Sequence, residues 1–97
     1  MTITPTAQRV DVALDGELDC HTVVAAVAEI DRALDRGTRR LRLDLSEVTF
    51  LDIVAARRLW EAVDAAAEDG REIELIPGER ETQFALRVTG LHRLRRG

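Results

Sequence analysis

Three short groups of residues hold the side chains from which chemistry could be built. Asp19, Cys20 and His21 precede a predicted helix, and Asp52, Ile53 and Val54 stand at a predicted strand-to-helix junction, followed by Arg57 and Arg58. Thr22, Ser46 and Thr49 supply hydroxyls near both places. A cysteine beside a histidine suggests a nucleophile with its base. Neighbours in sequence rarely form a working dyad, because the two groups must converge from separate elements. No pocket-forming acid or set of oxyanion donors accompanies the pair. Enzyme activity is therefore not expected, and Cys20 reads as a small buried or half-buried side chain. With one cysteine in the chain, an internal disulfide and a thiolate-rich metal site are both excluded. All fourteen residues of the lysine and arginine class are arginine, which leaves no lysine for Schiff-base chemistry. No cofactor and no metal are expected.

The junction offers something other than catalysis. A helix N-terminus exposes free backbone N–H groups and the positive end of the macrodipole, a place for an anion or a partner's contact. Asp52 is suited to cap that helix, a contribution of about 1 kcal/mol. Ile53 and Val54 allow two readings: they pack into the core at the start of the helix, or they form an apolar knob on a partner-facing surface. Arg57 and Arg58 sit near the same end, where they could meet a partner's carboxylates or a nucleotide phosphate. Ser46 and Thr49 have structural work available in capping and turn hydrogen bonds, and Thr49 is also a candidate for a displaced phosphorylation switch. Trp60 falls beside Leu59 and is expected to flank the core.

The elements that position these groups follow from periodicity. Residues 1–9, which carry Pro5, form a short edge strand or a loose arm, and Val10 to Leu14 alternate as a half-buried strand. Asp15-Gly16 signals a turn. The first helix has Asp19 or Thr22 as its N-cap. Val23, Val27, Ile30 and Leu34, flanked by Val24 and Ala33, form its apolar stripe, and Gly37 stops it. Leu41, Leu43 and Leu45 alternate with Arg42, Asp44 and Ser46, so the sheet has one covered and one wet face. The strand turns at Ser46 to Thr49. A second helix spans about Ile53 to Glu68, with Ala55, Leu59, Ala62, Val63 and Ala66 inward and Gly70 at its end. Ile73 and Leu75 mark another strand. A third helix is read over Glu79 to Val88, and a last short strand over Leu91 to Leu94 ahead of an arginine tail. Strand-helix alternation of this kind dictates an α/β fold: a small mixed, largely parallel sheet with helices packed on one face and right-handed crossovers.

Length and composition bound the rest. Ninety-seven residues suit one domain with an adequate core. A formal net charge of -4 argues against nucleic acid, which requires a basic face. The longest apolar run, Val23 to Ala28, is far too short to span a bilayer. No secretory signal is visible at the start. A cytoplasmic protein without membrane insertion, monomeric or weakly dimeric, is the consistent expectation.

GELD at Gly16 to Asp19, Thr22, LDLSEVTFLD at Leu43 to Asp52, and VTGL at Val88 to Leu91 together resemble the STAS family, the sulfate-transporter and anti-sigma-factor-antagonist domains. The resemblance covers nearly the whole chain in order and spacing. It implies a small α/β fold and a bacterial protein that binds a kinase-like anti-sigma factor. In that scheme the residue after the FLD aspartate is a serine, whose phosphorylation switches the partner off. Here that position is Ile53, with Val54 and Ala55 after it, so no phosphorylation is expected at Ile53. Some short members attach to bacterial lipid-transport ATPase complexes, and a transporter ATPase is the second partner the resemblance implies. A nucleotide-binding sensor is a third reading, open to a thermal-shift screen. For partner binding the residues singled out are Asp19, His21, Asp52, Ile53, Val54, Arg57 and Arg58.

Overall fold

The computed structural model describes residues 1–5, 9–34, 38–78 and 95–96. In chain order the elements are β1 (Thr2–Pro5), β2 (Arg9–Leu18), α1 (Thr22–Leu34), β3 (Arg40–Leu51), α2 (Ile53–Glu68), β4 (Glu72–Ile76) and β5 (Arg95–Arg96). The strands lie side by side in the order in which they occur. β1 runs antiparallel to β2, and each later strand is parallel to its neighbour. The expected largely parallel α/β sheet is thus present. When each parallel strand is added beside the last by a crossover of one hand, the helices fall on one face. Both helix N-termini then lie at the edge where β2 and β3 end.

Alternation in the strands sorts the two faces of the sheet. Val10, Val12, Leu14, Leu41, Leu43, Leu45, Ile73 and Leu75 are buried under the helices. α1 contributes Val23, Ala26, Ile30 and Leu34, and α2 contributes Ala55, Ala56, Leu59, Val63 and Ala66. Trp60, Val27 and Ala33 are half-buried and pack against this cluster, as the stripe positions anticipate. The opposite face is wet, carrying the pairs Arg40–Glu72 at 3.1 Å and Arg42–Glu74 at 4.0 Å across β3 and β4. Exposed pairs of this kind contribute little individually; they keep the uncovered face polar.

Two sequence-based turn expectations are corrected. Asp15-Gly16 lies inside β2, where Gly16 adopts φ +70. The pairing with β3 shifts register between Ala13 and Asp15, and again between Gly16 and Glu17. At both shifts the extra residue lies on β3; a left-handed glycine serves an irregular strand as well as a turn, so composition does not separate the two. Nor does β3 turn at Ser46 to Thr49. It continues to Leu51, pairing Val48 with Gly16 and Leu51 with Leu18, and both Val48 and Leu51 are buried. The bulge lets β3 keep pairing while its alternation slips.

At its far end α2 stops as expected. Gly70 has φ +88, its N–H donates to the Ala67 carbonyl, and the Arg71 N–H donates to the Ala66 carbonyl, the paired bonds of a Schellman ending. The arginine tail is also corrected at Arg95–Arg96, which form a strand parallel to β4. Gly37, the third helix read over 79–88 and the strand read over 91–94 lie outside the described residues.

Candidate partner-binding surface

At the C-terminal edge of the sheet, Leu18 pairs with Leu51, and each strand is followed at once by an aspartate. This register places Asp19 and Asp52 side by side, and the Asp52 N–H donates to the Leu18 carbonyl at 3.1 Å. The two helices therefore begin at neighbouring points.

Asp19, not Thr22, is the cap of α1. Its Oδ1 accepts from the N–H groups of His21 at 2.8 Å and Thr22 at 2.9 Å. The Val23 N–H then makes the first helical bond to the Asp19 carbonyl. Thr22 sits three residues after the cap and returns the favour: its Oγ1 accepts from the Asp19 N–H at 2.9 Å and donates to the Glu17 carbonyl at 3.0 Å. This is a capping box with threonine in the role usually taken by glutamate. The donated backbone bonds, first from Thr22 and then from His21, hold the Asp19 carboxyl below its ordinary value of 3.8, because they stabilise the anion.

α2 has a plainer start. Asp52, in extended conformation at φ -79 and ψ 166, accepts from the Ala55 N–H at 2.6 Å. The N–H groups of Ile53 and Val54 meet no acceptor among the described residues. Above this cap Ile53 is 43% exposed and Val54 52% exposed. Phe50, which precedes them on β3, is 47% exposed. Of the two readings the sequence allowed for Ile53 and Val54, burial in the core is thus ruled out. Phe50 is the residue that sequence reasoning missed. With a turn expected at Ser46 to Thr49, Phe50 was assigned to no element, whereas it lies near the end of β3.

The remaining candidates fall on the same end. His21, Arg57 and Arg58 are exposed, and Asp19 and Asp52 are half-buried. Helical spacing puts Arg57 one turn beyond Ile53, and Arg58 one turn beyond Val54. Val24 on α1 is 58% exposed. Thr22, Ala25 and Ala26 line a shallow depression with Met1 and Asp15 on the β1 side, so Val24 lies on the opposite flank of the helix, toward α2. Cys20 corrects an expectation: it is exposed, because the first turn of α1 projects past the strand ends and leaves nothing to cover it. Ser46 and Thr49 are exposed as well. Their hydroxyls make no hydrogen bond among the described residues, contrary to the capping and turn roles expected; Ser46 uses only its N–H, donating to Asp44 Oδ1 at 2.8 Å. No group of three or more potential metal ligands occurs among the described residues. No described helix is long and apolar enough to cross a membrane.

This geometry has close counterparts among solved structures. The unphosphorylated form of the anti-sigma factor antagonist SpoIIAA superposes with a TM-score of 0.82 at 18% identity, over 97% of this chain and 84% of that one. An anti-sigma factor antagonist from Mycobacterium paratuberculosis gives 0.81 at 22% identity, over 95% of this chain and 78% of its own. A part of Mglu gives 0.75 at 26% identity, with 81% of this chain matching 20% of that much longer one. No curated protein matches the sequence. Similarity at these identities speaks for the fold. The sequence itself is matched over residues 1–96 by the family model described as "Mlab, STAS domain", and with the paired aspartate caps at the strand ends it follows that the chain belongs to the STAS domain family.

Proposed function

We propose that this STAS domain is a regulatory module that binds a protein partner through the strand-end surface, in the manner of an anti-sigma factor antagonist. The supporting observation is the exposure of Ile53 and Val54 in the first turn of α2, with Phe50 also exposed near the end of β3. Large apolar side chains clustered on the surface of a small domain mark an interaction site more often than chance exposure. Asp19 and Asp52 hold the two helix starts in register, His21 and the arginines border the apolar centre, and the partner is a kinase-like anti-sigma factor. The side chain at position 53 has no hydroxyl, so binding is not switched by phosphorylation there. Occupancy follows the amounts of the two proteins.

The matching family model is described by the name Mlab and not as an anti-sigma factor antagonist, which supports a second reading. In that reading the same surface seats the domain on a transporter ATPase, as a soluble accessory subunit of a lipid-transport complex. Affinity capture from the native cell separates the two by what it recovers, a regulator with a kinase-like ATP-binding fold or a transporter ATPase. Repeating the capture with Ile53→Asp tests the surface itself. The variant retains its fold and loses the partner; undiminished capture would refute the assignment of this face.

A further inference from the structure

The exposed face of α2 carries a charge pattern that apolar docking does not use. Arg9, Arg32, Arg40, Arg42 and Arg71 each stand within ion-pair distance of a carboxylate, from Asp11, Glu29, Glu72, Glu74 and Asp69 in turn. Arg57 and Arg58 have neither an ion pair nor a side-chain hydrogen bond among the described residues. Glu61 is exposed on the same face, at helical spacing from both, and pairs with neither. An arginine placed before a glutamate is the weaker order for such a pair. Two guanidinium groups thus border an apolar knob and have no partner among the described residues, in a chain whose formal net charge is -4.

We infer that the partner segment seated on Ile53 and Val54 is acidic, presenting an apolar side chain flanked by carboxylates that pair with Arg57 and Arg58. The inference rests on the docking role proposed for this face and adds the chemistry of what docks. A guanidinium offers a planar fork that matches a carboxylate in two parallel bonds and is less strongly hydrated than an ammonium. An apolar centre with a charged border is the common anatomy of a protein interface. Arginine beside aliphatic residues also suits an anionic membrane. The same end of the molecule, however, exposes Glu17 and Glu47 on neighbouring strands, beside Asp15, which pairs with the Met1 amino group at 2.9 Å. A flat anionic surface would have to approach those carboxylates, whereas a narrow peptide segment on α2 avoids them.

The test is selection of a random peptide library displayed on phage against the whole chain and two variants, Ile53→Asp and the double change Arg57→Glu with Arg58→Glu. Far-UV circular dichroism confirms that each variant is folded. Peptides held by the unaltered chain are expected to carry aspartate or glutamate beside an aliphatic or aromatic residue. They should bind the double variant roughly tenfold more weakly, weaken as salt is added, and give way to arginine- or lysine-bearing peptides in a selection on the double variant. Peptides that require Ile53 yet lack acidic residues and tolerate the double change would overturn the acidic partner while leaving the docking face in place. Peptides indifferent to Ile53→Asp, or a selection that enriches nothing, overturn both. Co-sedimentation with phosphatidylglycerol vesicles, abolished in the double variant and without acidic peptide enrichment, overturns the inference in favour of a membrane surface.

Discussion

The two ends of the helical layer are built from the same materials and finished differently. At the C-terminal ends of the helices one side chain closes the structure. Arg71 donates from Nη2 to the Leu34 carbonyl and from Nε to the Thr38 carbonyl, both at 2.8 Å, while Nη1 pairs with Asp69 at 3.2 Å. It thereby satisfies the end of α1 from the turn that ends α2, beside the Schellman bonds at Gly70. At the N-terminal ends the caps are local. Asp19 and Thr22 serve α1 between themselves, Asp52 serves α2 with one bond, and apolar side chains and arginines without a partner among the described residues are left outside. Polar groups turned inward make an end that holds the fold; apolar groups turned outward make an end that can be covered by something else. The difference fits stability at one end and, on the function proposed above, recognition at the other.

The most damaging change to that division should be at Arg71. Arg71→Met strips two buried carbonyls of a charged donor and is expected to cost about 2 kcal/mol, seen as a lower urea midpoint with no effect on partner affinity. Comparable loss of binding would show that the two ends are coupled. Ile53→Asp should give the reverse profile. Affinity for the captured partner drops by about 2 kcal/mol if the residue is a central contact, while stability stays within about 0.5 kcal/mol, since an acid at the helix start suits the dipole. A stability loss as large as the affinity loss would place Ile53 among the fold-holding residues. Asp52→Ala should lower stability by about 1 kcal/mol through loss of the cap, measured by thermal melting.

The smallest effect concerns acid. Asp19 is held below its ordinary value of 3.8 by the Thr22 and His21 N–H groups, so its anion is the form the fold favours. Its stabilising contribution is fully present above the ordinary value and is lost as pH falls through the lowered one. The difference in melting temperature between the unaltered chain and Asp19→Asn should therefore be constant from neutral pH down to about 4 and close below it. A gap that persists at lower pH would mean that Asp19 acts by shape and not by charge.

How far the sequence could be read depended on the range of the forces involved. α2 was legible from end to end, because Asp52, the spacing of Ala55, Leu59, Val63 and Ala66, and Gly70 are all local signals. The wet and covered faces of the sheet were legible from alternation at Leu41, Leu43 and Leu45. The identity of the α1 cap was open between Asp19 and Thr22, since each residue type caps helices; the structure uses both, one as cap and the other three residues on. The irregular pairing of β2 with β3 around Gly16 was not legible, because a left-handed glycine serves an irregular strand as well as a turn, and the extension of β3 beyond Ser46 went with it. Cys20 was misjudged and Phe50 left unplaced because nothing in their own neighbours in sequence reveals how far each strand runs.

The order of strands and helices, the apolar stripes and the absence of a hydroxyl at position 53 are properties of the chain alone, since periodicity and residue type act over a few bonds. What faces solvent at the strand ends was decided by the folded molecule. Only the pairing of Leu18 with Leu51 brings the two helix starts together, and only the packing around them leaves Ile53 and Val54 at the start of α2, and Phe50 near the end of β3, uncovered. Exposure depends on every element that could have come to rest above a residue, and that is settled by packing over the whole domain.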